Sequence, residues 1–252
     1  MKIELFGRTD PGKKRANNED QFSIDADMGH FIVADGMGGH NHGEVASKMA
    51  VDVTRDAVKK FVLNGQKAII GKINPKFSER ANQLGSAVRL ANSFIFESAK
   101  TNPKHQGMGT TIDCVLVEKN KISIAHVGDS RVYLFRGGKL RQVTDDHSLV
   151  ADQVRQGLLK PEEAEKSPHK NILTRALGVD ENTEVDLYEI DCYNGDILLG
   201  CTDGLNKMVS DQDILKTILD MKTPKRIAEH LVDLANAAGG VDNITVVVAQ
   251  LG

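Results

Sequence analysis

The 252-residue chain contains only three cysteines, Cys114, Cys192 and Cys201, far apart and without a C-x-x-C pair. That scarcity excludes a disulfide framework and a thiolate zinc site, and it points to a reducing compartment, the cytoplasm. An excess of charge of one sign is also missing, because 32 Lys and Arg stand against 35 Asp and Glu, a formal net charge of -3. Binding to nucleic acid through a global basic footprint is therefore not expected. Long apolar runs are absent: no stretch approaches the roughly 18 residues of a membrane span, and residues 1–15 mix charges with Gly and Pro without an apolar secretory core. Neither a low-complexity linker nor an internal repeat divides the chain, so one domain over 1–252 is expected. With 40% hydrophobic and 27% charged residues it has ordinary globular composition and enough length to bury a sizeable core.

What is present is a series of short β-branched and apolar runs separated by turn signals. Residues 112–117, 122–127, 131–135 and 139–143 are joined by connections too short for a parallel crossover, which predicts an antiparallel meander. Further strands are predicted at 30–34, 196–201 and 244–250. Amphipathic stretches at 43–62 and 78–100 predict helices, and a third at 223–238 opens on Thr-Pro and closes on Gly239-Gly240. Helices near both ends with strands through the middle imply helices packed outside antiparallel sheets. The segment 146–178, charged and carrying Pro161 and Pro168, reads as a helical insertion or as a solvated surface excursion.

Aspartates recur at the ends of these strands: Asp35 after 30–34, Asp203 after 196–201, and Asp242 before 244–250. Each alone suits a turn or cap. Gathered at one rim they would repel one another and raise one another's pKa, and so would call for cations between them. Oxygen-only donors favour hard ions such as Mg²⁺ or Mn²⁺. Asp35 opens Asp35-Gly-Met-Gly-Gly-His40, in which Gly36 could offer its carbonyl to a metal. The run fails the dinucleotide fingerprint at Asn41, and no P-loop pattern occurs. His40 and His42 have no second His cluster to complete a zinc site, so proton transfer suits His40 better. Asp25 and Asp27 begin like a calcium loop but continue with the wrong residues. Ser130, in Gly128-Asp129-Ser130-Arg131, lies outside any G-x-S-x-G elbow and reads as a turn residue.

Six blocks in order, Arg15-Ala-Asn-Asn-Glu-Asp20, Asp35-Gly-Met-Gly-Gly-His40, Gly109-Thr-Thr111, Val127-Gly-Asp-Ser-Arg131, Asp203-Gly204 and Asp242-Asn243, resemble the motifs of the metal-dependent serine/threonine protein phosphatases of type 2C, the PPM family. The resemblance spans nearly the whole chain. It implies a four-layer α-β-β-α sandwich and two Mn²⁺ or Mg²⁺ ions, with a weaker third. In it Asp35 looks like the carboxylate bridging two ions, Gly36 a carbonyl ligand, Asp203 and Asp242 the remaining carboxylates, and Asp129 a ligand of the third ion. Glu19, Asp20 and Asn243 would act through water, Arg15 would grip the substrate phosphate, and His40 would protonate the leaving oxygen.

The segment 146–178 resembles the flap of bacterial members, with Lys160, Lys166, Lys170 and Arg175 as cations that could meet an acidic phosphoprotein. His42 and Thr202 depart from the common pattern without touching a proposed ligand. The expected partners are proteins phosphorylated on Ser or Thr, a serine/threonine kinase among them, met by a monomer that engages no membrane. Two alternatives are a phosphatase of the anti-sigma-factor-antagonist type and a catalytically dead phosphosite-binding module. The first tends to lack the flap and the arginine; the second should have lost a metal carboxylate.

Overall fold

The computed structural model describes residues 2–38, 42–65 and 69–252, with backbone alone at 63 and 64. Strands β1 (Ile3–Asp10), β2 (Asp20–Asp25) and β3 (His30–Met37) lead into the helices α1 (His42–Asn64) and α2 (Glu79–Thr101). A short β4 (Gly109–Thr110) precedes β5 (Ile112–Glu118), β6 (Lys121–Val127), β7 (Arg131–Arg136) and β8 (Lys139–Gln142). Two short helices, α3 (Leu149–Arg155) and α4 (Pro161–Ala164), are followed by β9 (Asp186–Asp191) and β10 (Ile197–Cys201). The helices α5 (Asp203–Asn206), α6 (Asp211–Met221) and α7 (Pro224–Ala237) and the strand β11 (Ile244–Leu251) complete the chain.

The strands form two antiparallel sheets, one ordered β1-β11-β10-β7-β8 and the other β2-β3-β5-β6-β9 with β4 beside β3. Side-chain alternation along each strand builds the layers. On β3, Phe31 and Val33 enter the layer between the sheets, while Ile32 and Ala34 face α1 and α2. On β11, Val247 and Ala249 enter that inner layer, while Val246 and Val248 pack with Ile227 and Leu231 of α7. Each such fully buried aliphatic side chain contributes about 1.5–3 kcal/mol. Three apolar layers between four layers of secondary structure make the α-β-β-α sandwich.

The three predicted helices form within a residue or two of their expected bounds. Ser78 caps α2 by accepting from the Ala81 N–H, and Pro224 occupies the first turn of α7. The predicted meander does not form as one sheet. β5 pairs with β6 and β7 with β8, but Gly128-Asp129-Ser130 carries the chain from one sheet to the other, so β6 and β7 are not neighbours. Gly128 has φ +118, and a Cβ there would lie 2.5 Å from Thr111 Cβ, so this sheet switch requires glycine.

His30 on β3 is fully buried, with Nε2 3.4 Å from Cys114 Sγ and, among the described residues, no partner for Nδ1. Burial pushes its pKa down to about 4, helped by Lys59 and Arg55 and opposed by Asp25. An unfolded His takes up a proton below about 6.5, so this neutral imidazole costs stability as pH falls from there to about 4, by about 3 kcal/mol in total. The His30→Leu protein should therefore lose less stability than the parent between pH 7 and pH 4, the gap between their Tm values changing by about 6–12 °C. Parallel Tm curves in thermal denaturation would contradict that expectation.

Candidate active site

The antiparallel registers bring the motif residues to one rim. Asp20 and Asp35 are direct partners across β2 and β3, and Cys201 lies opposite both Arg131 and Val246, so Asp129, Asp203 and Asp242 emerge side by side from the other sheet. Asp35, Asp129, Asp203 and Asp242 line a cleft of about 600 Å³ together with Arg15, Glu19, Gly36, Lys207 and Asn243, and Asp20 is buried behind it. The two sheets are tied beneath it. Asp20 Oδ2 on one accepts from Thr202 Oγ1 at 2.8 Å and Thr245 Oγ1 at 2.7 Å on the other. The departure at Thr202 thus supplies a hydroxyl that bonds a buried carboxylate.

Asp35 is set by its backbone. Its N–H donates to Thr111 Oγ1 at 2.9 Å, its carbonyl accepts from the Thr111 N–H and from Thr110 Oγ1, and Thr111 Oγ1 also bonds Ser130 Oγ at 2.7 Å. The Gly109-Thr-Thr111 block and Ser130, which the sequence left as a turn residue, therefore form the scaffold of Asp35. Among the described residues no side chain donates to its carboxylate. A Cβ on Gly36 would lie 2.1 Å from the Gly43 carbonyl oxygen and 2.6 Å from that of Glu19, so only glycine lets β3 pass between that loop and α1.

The loop bearing Arg15 and Glu19 is fastened by Asn243. Its Oδ1 accepts from the Glu19 N–H at 2.8 Å, and its Nδ2 donates to the carbonyls of Pro11 at 3.0 Å and Asn17 at 2.8 Å. The Asn243 amide is thus committed to the backbone of that loop. Arg15, exposed at the mouth, donates through Nη2 to Asp242 Oδ2 at 2.9 Å. Lys207 Nζ bonds Asp203 Oδ2 and reaches Asn171 Oδ1 at 2.8 Å, which brings the 146–178 segment to the cleft. Burial works against the Lys207 charge, but Asp203 beside it, with Asp129 and Asp35, offsets this and the pKa is raised. Lys207 was not picked out from the sequence; its signal was its place four residues after Asp203 on a helical turn.

Of the four cations noted in 146–178, Arg175 turns inward to Asp186 Oδ1 at 2.6 Å, whereas Lys160, Lys166 and Lys170 are exposed. His40 lies outside the described residues.

Carboxylate crowding shapes the electrostatics. Asp20 is pushed up to about 7, first by burial and then by Asp203 and Asp242, against the two threonine hydroxyls. Burial pushes Asp129 up to about 7 as well, with Asp203 adding and Lys207 opposing. Asp35 is raised well above the usual carboxylate range by burial at the cleft floor and then by Asp20, Asp203, Asp129 and Asp242. Glu19 is raised by burial, with Arg15 opposing.

Among the described residues no three His, Cys, Asp or Glu side chains are gathered closely enough to hold a metal ion as they stand. Asp203 and Asp242 are drawn instead to Lys207 and Arg15. The donor set nevertheless fits a hard divalent cation: among the described residues Asp203 Oδ1 and Asp20 Oδ1 are buried without a partner, and burial with mutual repulsion raises the carboxyls of Asp20, Asp35 and Asp129. No helix among the described residues is long and apolar enough to cross a membrane.

The family model for protein phosphatase 2C matches residues 12–237. The serine/threonine phosphatase stp of Listeria monocytogenes is 38% identical over 246 residues, covering 96% of this chain and 94% of that one. The crystal structure of the Mycobacterium tuberculosis serine/threonine phosphatase PstP/Ppp matches with a TM-score of 0.86 and 37% identity, covering 100% of this chain and 99% of that one. The catalytic domain of the phosphatase PstP, solved in complex with two manganese ions, matches with a TM-score of 0.80 and 36% identity over 99% of this chain and 98% of that one.

Proposed function

The chain belongs to the protein phosphatase 2C family and is a serine/threonine protein phosphatase; from that premise we propose that Asp35, Gly36, Asp203 and Asp242 hold two Mn²⁺ or Mg²⁺ ions, and Asp129 a weaker third. The observation that carries this reading is the convergence of four carboxylates from both sheets on one cleft, with Asp203 Oδ1 buried and without a partner among the described residues. Bound divalent ions supply Lewis acidity toward the phosphoryl oxygens and lower the pKa of water.

The chain's own groups do the rest. Arg15 presents a planar guanidinium fork at the mouth, suited to two phosphoryl oxygens at once, and Asp242 holds it in place. Asp20, locked by Thr202 and Thr245, and Glu19 organise water around the site. Asn243 fixes the loop that carries Arg15 and Glu19. Lys207 balances negative charge beside Asp203 and links that wall to the 146–178 segment, which we read as a flap within a single catalytic domain spanning 1–252.

In the reaction water forms a new P–O bond, the ester P–O bond breaks, and His40 delivers a proton to the departing seryl or threonyl oxygen. Phosphoproteins are the substrates, and we include a serine/threonine kinase among them. We read the protein as a monomer of the cytoplasm, a reducing compartment with which the free cysteines Cys114, Cys192 and Cys201 are compatible. The retained carboxylates weigh against a dead phosphosite-binding module. The 146–178 segment and Arg15 weigh against the anti-sigma-factor-antagonist type.

Hydrolysis of p-nitrophenyl phosphate and of a phosphothreonine peptide should vanish in EDTA and return with Mn²⁺; metal-independent turnover would overturn the reading. His40→Ala should reduce kcat more for the peptide than for p-nitrophenyl phosphate, whose phenolate leaves without a proton. Equal losses would remove the acid role from His40.

A further inference from the structure

Asp129 is 7% exposed, and among the described residues no side chain bonds its carboxylate, so its aim into the cleft depends on the backbone turn 128–130. That turn is gripped from two sides. Ser130 is held by Thr111, which also holds Asp35. On the other side His147 embraces Gly128: its backbone N–H donates to the Gly128 carbonyl at 2.8 Å, and its ring Nδ1 accepts from the Gly128 N–H at 3.0 Å. An Nδ1 that accepts carries no proton, so Nε2 bears it and donates to Asp186 Oδ2 at 3.0 Å.

Asp186 is also the anchor of the far end of the segment, through Arg175 at 2.6 Å. The two arms of the segment meet on His147 itself. Its carbonyl accepts from the Thr174 N–H at 2.9 Å, and the neighbouring Ser148 bridges to Leu173, which lines the cleft. The ring is 1% exposed and lies 4.5 Å from that of His126, which is itself bonded to Asp113 at 2.7 Å and to the Asp145 carbonyl at 2.9 Å. One imidazole therefore joins the root of the 146–178 segment to the turn that aims Asp129.

We propose that His147 is a positioning residue for Asp129, transmitting the placement of the 146–178 segment to the metal-binding wall of the cleft through the bond between its Nδ1 and the Gly128 N–H. The proposal rests on the reading of Asp129 given above, and its test separates the two.

Asn and Gln each imitate one half of the ring. His147→Asn keeps an acceptor near the position of Nδ1 and gives up the bond to Asp186; His147→Gln keeps a donor near the position of Nε2 and gives up Gly128. With p-nitrophenyl phosphate, His147→Gln should lower kcat by roughly 10-fold and weaken the weakest Mn²⁺ site in calorimetric titration by a similar factor, the usual loss when a partner behind a ligand is removed. His147→Asn should stay within about 3-fold of the parent in both.

In an Asp129→Ala background the His147→Gln effect should shrink to less than about 2-fold, because the two changes act through one group. Should His147→Gln fail to fold, His147→Ala gives up the same bond to Gly128, and its loss must likewise vanish in that background. Equal losses for Asn and Gln, or a loss that persists without Asp129, would overturn the proposal. An Asp129→Ala protein with unchanged turnover and Mn²⁺ binding would overturn it together with the assignment of Asp129.

Discussion

Asp35→Asn should leave a folded protein with turnover reduced by well over about 100-fold at saturating Mn²⁺, since even partners behind a metal ligand are worth about 10–100-fold. The accompanying stability change should run the other way. Burial and four neighbouring carboxylates hold the Asp35 carboxyl well above its ordinary range, so its ionised form is a cost to the folded chain when no cation is bound. That cost is absent below the ordinary carboxylate range, grows as pH rises from there, and is complete once pH passes the raised pKa. The EDTA-treated variant should therefore melt at or above the parent Tm at pH 8, while the rise in Tm on adding Mn²⁺ should be largely lost. Asp203→Asn should match it in turnover, but it also gives up the ion pair with Lys207 and should gain less stability. Wild-type turnover in either variant would remove that residue from the metal site. A lower Tm for metal-free Asp35→Asn would mean that its carboxylate is stabilised by something other than a cation.

The central strands were legible because burial on both faces leaves near-continuous apolar runs: 30–34, 112–117 and 244–250 became the hearts of β3, β5 and β11. The edge strand β8 was legible for another reason. Gly137 and Gly138, at φ +56 and +78, form the two-residue turn that a hairpin prefers. The other edges, β1, β2 and β9, were missed. Each pairs on one side only and carries charges at its ends, as in Asp-Gln-Phe-Ser-Ile-Asp of β2, so neither composition nor period separates it from a loop. The sheet switch at Gly128 was misread because a three-residue link between strands has the same local sequence whether it returns the chain to the same sheet or passes it to the next.

Asp35, Asp203 and Asp242 could be named because each follows or precedes a predicted strand, which is a local signal; Asp129 and Glu19 came only with the family resemblance. Their supports could not be named. Asp20 is held by Thr202 and Thr245, more than 180 positions away, and Gly128 by His147. Such pairings exist only once the sheets have stacked. The resemblance between motifs marked Asp203-Gly204 and Asp242-Asn243 as separate blocks, and only their contact explains why the second residue of the first is glycine.

That contact makes Gly204→Ala a damaging substitution at the rim. A Cβ on Gly204 would lie 1.9 Å from the Asn243 carbonyl oxygen, 2.9 Å from its carbonyl carbon and 3.4 Å from Ile244 Cα. The two obstacles nearer than 3.0 Å are both Asn243 backbone, so no rotamer change relieves them, and α5 must move away from the 242–243 turn. The movement pulls Asp203 from Asp242 and loosens Asn243, whose amide fastens Pro11, Asn17 and Glu19. Overpacking of this kind costs about 3 kcal/mol or more. For a chain of this size, that corresponds to a Tm lower by about 6–12 °C. Gly7→Ala serves as the comparison, because the three atoms nearest its Cβ all belong to the Phe22 ring, the first at 2.3 Å, and a side chain can give way. Thermal denaturation in EDTA should rank Gly204→Ala well below Gly7→Ala, and p-nitrophenyl phosphate turnover in Mn²⁺ should fall sharply only in the former. A Gly204→Ala protein with the parent Tm and turnover would show that the approach of Asp203-Gly204 to Asp242-Asn243 is not needed to assemble the cleft.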